Sequence, residues 1–233
     1  MKLLENNPKL ITYVDPKAPA AEAFRTLRTN IYFCSPDEKL HTIMLTSPGP
    51  GEGKTTITSN LAVALAQGDE DVILVDADLR RGTTHKVFGL NNSIGLTNVL
   101  MGKAELDKAL QPTSLKGLRV LTSGPIPPNP AELFGSKAMS SLIEELKEKA
   151  SLVLFDAPPL LVVTDAVLLS TRVDGTVLVI DSGSVPRDVA IKAKNSLSNV
   201  KARILGVVLN NMPMTESYYY YYYYSNEKKD EKS

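Results

Sequence analysis

The stretch Ile43-Met44-Leu45-Thr46-Ser47 runs directly into Pro48-Gly49-Pro50-Gly51-Glu52-Gly53-Lys54-Thr55-Thr56, and a helical pattern follows at once. An apolar strand, a glycine-rich turn and a helix, in that order, are the context of a phosphate-binding loop. Glycines let backbone N–H groups close on phosphate oxygens, and the helix N-terminus adds a dipole that favours negative charge. Gly49, Gly51, Glu52, Gly53, Lys54, Thr55 and Thr56 are therefore the expected nucleotide-binding residues. Lys54 is expected to reach the β- and γ-phosphates, and the Thr55 hydroxyl to ligate Mg²⁺. The loop departs from G-x-x-x-x-G-K-[ST] at its first position, where Pro48 stands in place of glycine. An ordinary glycine-rich turn is the alternative, and the agreement of strand, glycines, Lys-Thr and helix weighs against it.

Apolar runs recur along the 233-residue chain: Ile43-Met44-Leu45, Val72-Ile73-Leu74-Val75, Leu118-Arg119-Val120-Leu121, Leu152-Val153-Leu154-Phe155, Val177-Leu178-Val179-Ile180 and residues 204–209. Most are nearly unbroken by polar residues, as in strands buried on both faces. Helical spacing fills the gaps. Residues 54–67 place Ile57, Leu61 and Leu65 on one stripe, and residues 137–150 do the same with Met139, Leu142, Ile143 and Leu146. Residues 186–200 form another helix, and residues 19–33 read as a helix with Phe24, Leu27 and Ile31 on one face. This alternation predicts a doubly wound α/β fold, a mainly parallel sheet with helices on both faces. With 43% apolar content the chain can bury one large core. The expected division is a separable N-terminal extension over 1–19, one domain over 20–211 that includes the first helix, and a flexible tail over 212–233. Residues 125–130 read as a rigid connector before a helix.

Two strands end in aspartates. Val72 to Val75 leads into Asp76-Ala77-Asp78-Leu79-Arg80, and Leu152 to Phe155 leads into Asp156-Ala157-Pro158-Pro159. Ligands of open α/β sheets bind outside the carboxyl ends of the strands, so both clusters are expected to face the phosphate loop. Asp156 is the Walker B candidate. Of Asp76 and Asp78, one can assist the metal while the other accepts a hydroxyl proton. Each aspartate alone could equally serve as a strand-end turn or helix cap.

Composition excludes several classes. Lys plus Arg and Asp plus Glu number 26 each, so no global basic field points to nucleic acid. The single cysteine, Cys34, leaves no intramolecular disulfide or cysteine-cluster metal site and suits a reducing cytoplasm. His41 and His85 are too isolated to propose as metal ligands. The N-terminus lacks the apolar core of a signal peptide, and no run approaches the ~18 apolar residues that span a bilayer. A cytoplasmic chain is expected, recruited to the inner face of the membrane only through a partner.

With the loop, Val75-Asp76-Ala77-Asp78-Leu79-Arg80 and Phe155-Asp156-Ala157-Pro158-Pro159 together, the chain resembles the bacterial tyrosine kinases (BY-kinases) of the stand-alone cytoplasmic type found in Gram-positive bacteria. Glu22-Ala23-Phe24-Arg25-Thr26-Leu27-Arg28 and the cluster Tyr218, Tyr219, Tyr220, Tyr221, Tyr222, Tyr223 and Tyr224 carry the resemblance further, from Ala20 to Tyr224. It implies a P-loop NTPase fold of the partition-ATPase-like branch and a Mg-ATP-dependent protein-tyrosine kinase. Such a kinase autophosphorylates its tail tyrosines in trans, phosphorylates other proteins and controls capsule or exopolysaccharide production. The implied partners are further copies of the chain in a ring, the cytoplasmic tail of a transmembrane activator, and a protein-tyrosine phosphatase. By position, Lys54 and Thr55 bind phosphates and metal, Asp78 and Asp156 organise Mg²⁺, and Asp76 is the base for the tyrosine hydroxyl, the split between Asp76 and Asp78 being open. The eukaryotic kinase motifs His-Arg-Asp and Asp-Phe-Gly are absent.

Partition and septum-positioning ATPases, nucleotide switches of the same superfamily, are the alternative. They carry an additional lysine five residues before the invariant one, where this chain has Gly49. The seven tyrosines alone could be a sticky low-complexity tract, but beside a Mg-ATP site they read as a substrate. Glu22, Arg25 and Arg28 share one stripe of the first helix, separate from its apolar face. The stripe is either a solvated ion-pair face or, as the resemblance implies, the subunit interface. Asn210, closing the last strand, contacts adenine by analogy with related folds or is only a turn residue.

Overall fold

The computed structural model describes residue 7 and residues 9–213. The expected tail lies outside the described residues from residue 214 on, and with it Tyr218 to Tyr224. Among the described residues, seven strands form one sheet in the order β3-β4-β2-β5-β1-β6-β7. They are β1 (Thr42–Thr46), β2 (Val72–Asp76), β3 (Leu110–Pro112), β4 (Leu118–Leu121), β5 (Leu152–Asp156), β6 (Gly175–Asp181) and β7 (Ile204–Asn210). All neighbours pair in parallel except β3 with β4.

Two helix layers cover this sheet. On one face lie α1 (Ile11–Val14), α2 (Pro19–Phe33), α3 (Lys54–Ala66) and α4 (Thr84–Phe88). On the other lie α5 (Leu96–Leu100), α6 (Leu106–Ala109), α7 (Pro130–Gly135), α8 (Lys137–Lys149), α9 (Asp165–Ser170) and α10 (Arg187–Asn199). Successive strand residues feed opposite cores. Ile43, Leu45, Leu152 and Leu154 join the α3 side, while Met44, Val153 and Phe155 join the α8 side. Each central strand is thus apolar along its middle, because a parallel sheet buried on both faces leaves no position for water.

The four long helices fall where their spacing places them, and the doubly wound α/β fold is the observed one. The edges differ from expectation. β3 went unread because it is three residues long and ends in proline, tolerated only where no ladder partner follows. At the other edge, β7 is apolar in sequence yet leaves Val207 and Leu209 53% and 55% exposed, so an unbroken run did not there mean burial on both faces.

The N-terminal segment, expected to be separable, is packed into the domain from Lys9 onward. Leu10 is fully buried in the α3-side core. The Thr12 N–H donates to Asn60 Oδ1 at 3.0 Å, Asn60 Nδ2 donates to the Lys9 carbonyl at 2.6 Å, and Gln67 Nε2 donates to the Thr12 carbonyl at 3.1 Å. A buried asparagine in the middle of α3 is tolerated because this segment satisfies it. Leu10→Ala is expected to cost about 2–5 kcal/mol in urea unfolding, the usual range for a fully buried leucine. An unchanged midpoint and slope would show the segment to be dispensable.

Candidate active site

The sheet order sets β2, β5 and β1 side by side at its centre. Parallel register pairs Asp76 directly with Asp156, and Leu45 with Asp156. Both carboxylates therefore leave the sheet together, beside the loop that follows β1. Asp156 sits at a position where strand connections diverge, the usual ligand crevice of such sheets.

The loop is held from within. Gly53 caps α3 in the left-handed region at φ 86°, and a Cβ there would collide with the Asn210 amide, so both backbone and space demand glycine. Glu52 is buried and turns its carboxylate inward: it accepts from the Gly49 N–H and, at 3.3 Å, from the Asp181 N–H. Burial raises the Glu52 pKa, and those two N–H bonds oppose the rise. Asn210 Nδ2 donates to the Glu52 carbonyl at 3.0 Å. The side chains of Glu52 and Asn210, both expected to face nucleotide, are thus engaged in bracing the loop against the ends of β6 and β7.

Lys54, Thr55, Asp76, Asp78 and Asp156 converge as the motifs require. Lys54 Nζ lies 3.3 Å from Asp78 Oδ2 and 3.8 Å from Asp156 Oδ1. Burial works against the ammonium, but Asp156 and then Asp78 outweigh it, so the Lys54 pKa stands above its ordinary value. The Thr55 hydroxyl donates to Asp156 Oδ2 at 2.6 Å. Asp76 is completely buried, and desolvation, reinforced by Asp156, pushes its pKa up to about 8 against the pull of the Thr84 N–H. Burial likewise raises Asp156, opposed by Lys54 and Thr55. Asp78 is both partner and turn former, since its Oδ1 accepts from the N–H groups of Arg80 and Arg81 at 3.3 and 2.9 Å.

The donors fit a hard divalent cation. Thr55 gives its proton to Asp156, which leaves its oxygen lone pairs available. Asp156 Oδ1 is buried without a hydrogen-bond partner. Among the described residues no group of three or more His, Cys, Asp or Glu forms a self-sufficient metal site. One hydroxyl and one or two carboxylates suit Mg²⁺, which completes its octahedron with water and phosphate oxygens.

Sequence reading missed the clamp beside this cluster. Arg80 Nε and Nη2 donate to Asp165 Oδ2 and Oδ1 at 3.0 and 3.2 Å, a bidentate pair in which Asp165 has no exposed surface. It ties the loop after β2 to the start of α9. The arginine inside the aspartate motif was the only signal, and its partner is 85 positions away. On α2 the charged stripe divides. Arg25 pairs with Glu22 at 2.6 Å on the outer surface, whereas Arg28 Nη1 donates to the Ala64 carbonyl at 2.7 Å. Arg28 thus fixes α2 to the end of α3.

Comparison with known proteins agrees with this geometry. The ParA family (NUBPL iron-transfer P-loop NTPase) matches residues 39–227. The chain is 46% identical over 207 residues to the tyrosine-protein kinase YwqD of Bacillus subtilis, covering 89% of this chain and 87% of that one. It is 35% identical to the putative tyrosine-protein kinase CapB of Staphylococcus aureus, covering 89% and 91%. Among solved structures, the chimerical protein CapA2B2 superposes with a TM-score of 0.86 at 42% identity, over 88% of this chain and 91% of that one. The septum site-determining protein MinD of Pyrococcus horikoshii, solved with Mg-ADP, gives 0.65 at 28% identity, over 76% and 72%. With its loop, its paired strand-end aspartates and these relatives, the chain belongs to the bacterial tyrosine kinase family, on the ParA-like branch of the P-loop NTPases.

Proposed function

We propose that this protein-tyrosine kinase transfers the γ-phosphoryl group of Mg-ATP to the tyrosines at 218–224 of a neighbouring copy. The observation that carries the reading is the buried cluster in which Lys54 and Thr55 meet Asp76, Asp78 and Asp156. Bound Mg²⁺ would neutralise charge on the phosphates. Thr55 and Asp156, with Asp78, have the oxygens to hold it, and Lys54 has the charge to draw the β- and γ-phosphates into the loop. In the transfer the bond from γ-phosphorus to the bridging oxygen breaks, its electron pair leaving with ADP. A new bond forms to the tyrosine oxygen, whose proton passes to an aspartate. Asp76 suits that role, because its raised pKa makes its ionised form a stronger base than an ordinary carboxylate. Asp78, whose Oδ2 faces Lys54 beside the loop, is left as the metal-side partner.

No helix among the described residues is long and apolar enough to cross a membrane. Recruitment to the inner membrane face by the cytoplasmic tail of a transmembrane activator, a ring-like homo-oligomer, reversal by a tyrosine phosphatase and control of capsule or exopolysaccharide synthesis extend the same proposal. Their support is the family and the match to CapA2B2. In a ring, Glu22 and Arg25 are the members of the α2 stripe free to face a neighbour, with Arg28 acting from behind. Autophosphorylation of wild type, beside a variant with Tyr218 to Tyr224 all changed to Phe, tests the reading. Phosphotyrosine is expected to fall by about tenfold or more in the Phe variant if the tail is the main acceptor. ATP hydrolysis with no phosphotyrosine, even with an activator tail bound, would identify a nucleotide switch instead. Sedimentation of Arg25→Ala is expected to show smaller assemblies than wild type, and equal assembly would remove the stripe from the interface.

A further inference from the structure

Residues 82–84 fold over the buried end of Asp76. Gly82 passes so close that a Cβ there would lie 2.7 Å from Asp76 Oδ2 and would also strike the Ser123 hydroxyl. The Thr84 N–H donates to that same Oδ2 at 3.0 Å, while the Asp78 N–H reaches Oδ1 at 3.3 Å. Thr84 has no exposed surface, and its hydroxyl oxygen is buried without a hydrogen-bond partner, as is Asp156 Oδ1. Asp76, which the Thr84 amide holds, stands directly opposite Asp156 in the strand register. Two buried oxygens that make no hydrogen bond thus belong to one carboxylate cluster, Asp156 Oδ1 having only the Lys54 ammonium at 3.8 Å. An unpaired buried hydroxyl works against folding, and valine would fill the same space without that cost. The threonine is explained if its hydroxyl finds its partner in the loaded site.

We propose that Thr84 is a positioning residue for phosphoryl transfer, its amide fixing Asp76 and its hydroxyl orienting Asp156 when nucleotide and metal are present. The proposal rests on the kinase reading above. Thr55 already donates to Asp156 Oδ2, whereas Oδ1, 3.8 Å from Lys54 Nζ, accepts no hydrogen bond. A hydroxyl carries one proton and two lone pairs. Given to Asp156 Oδ1, that proton sets the plane of the carboxylate and so the direction in which its remaining lone pairs face the cation. The same residue, through its amide, holds the proposed base on the neighbouring strand. Metal-site carboxylates are commonly oriented by such outer partners, and loss of one lowers affinity or activity by about 10- to 100-fold.

The test compares wild type, Thr84→Val and Thr84→Ser, with Lys54→Met as the blank. Autophosphorylation is measured for kcat and KM, and binding of a fluorescent ADP analogue is titrated with Mg²⁺ independently of turnover. Thr84→Val is expected to lower kcat by about 10- to 100-fold, to change KM for ATP less, and to raise the Mg²⁺ needed for half-maximal ADP binding. The melting temperature of the nucleotide-free protein is expected to hold or rise, since a buried unpaired hydroxyl has been removed. Thr84→Ser is expected to return kcat and Mg²⁺ dependence to within about threefold of wild type. A Val variant within about twofold of wild type in both rate and Mg²⁺ dependence overturns the proposal. So does a Ser variant as impaired as Val, because the threonine methyl would then be the operative group. Should Thr84→Val fail to fold, Thr84→Ala removes the same hydroxyl and is read by the same criterion. Absence of phosphotyrosine in wild type would count against the kinase reading alone, and the Mg²⁺ titration of ADP binding would still decide the role of Thr84.

Discussion

Lys54→Met is expected to lower autophosphorylation by at least about a thousandfold, roughly 4 kcal/mol of transition-state stabilisation, while leaving the protein folded. The large effect follows from where the charge sits. Lys54 opens α3 at the floor of the loop, 3.3 Å from Asp78 and 3.8 Å from Asp156, largely out of water. In such a site an ammonium aimed at a transferring phosphoryl group acts in a low dielectric and needs no reorganisation. Methionine keeps the length of the side chain and removes the charge. Removing one partner of a buried ion pair ordinarily costs about 3–5 kcal/mol, because a bare charge is left behind. Here the aspartates have another outlet. Asp76 and Asp156 already hold protons more tightly than free carboxyls, and without Lys54 the cluster takes up further protons instead of remaining bare. The melting temperature near neutral pH is therefore expected to fall by only a few degrees, about 1–2 kcal/mol for a chain of this size. Phosphotyrosine yield by immunoblot and a thermal melt separate the two effects. A variant keeping a tenth or more of wild-type phosphorylation would remove Lys54 from the phosphate site.

Much of this site was legible because its chemistry is local in sequence. Lys54 and Thr55 follow a strand and open a helix, and Asp76 and Asp156 close strands apolar on both faces. Their meeting needs only the rule that ligands gather at the carboxyl ends of a parallel sheet. What stayed hidden depends on contacts far apart in the chain. The in-register pairing of Asp76 with Asp156 is a property of strand order, which the apolar runs do not encode. Asp165 reads as a helix-initiating residue until Arg80 is seen against it. Glu52 and Asn210 occupy positions where nucleotide contacts are expected, and only the fold reveals that they brace the loop. Short elements escaped for another reason: α4 to α7 and α9 are too brief to show a 3.6-residue period. The packed N-terminal segment was unreadable because its anchor, Asn60, is a polar residue inside a helix that otherwise looks complete.

Asp76→Asn is expected to reduce phosphoryl transfer by about 10²- to 10⁴-fold, the usual worth of a general base, and to flatten the dependence of stability on pH. The second effect follows from the first residue's burial. In the unfolded chain an aspartate releases its proton near pH 3.9, whereas burial beside Asp156 and Asp78 holds the Asp76 proton to about pH 8. Between those values the native state binds more protons than the unfolded state, so the stability of the nucleotide-free protein falls as pH rises through that window. Asp156 raises the proton affinity of Asp76 and Lys54 lowers it. The wild-type loss from about pH 5 to about pH 9 is expected to be near 2–4 kcal/mol. Asparagine cannot ionise, so its profile is expected to fall less steeply across the same range, the remaining slope coming from Asp156, which burial still raises. It carries one acceptor oxygen where Asp76 uses two, for the N–H groups of Asp78 and Thr84, so it starts from lower stability at acid pH. The two curves should therefore converge or cross toward alkaline pH. Urea unfolding of both proteins across the range reads this directly. Parallel curves would mean that Asp76 ionises freely in the folded protein, and it would then lack the proton affinity that a tyrosine-directed base at this position requires.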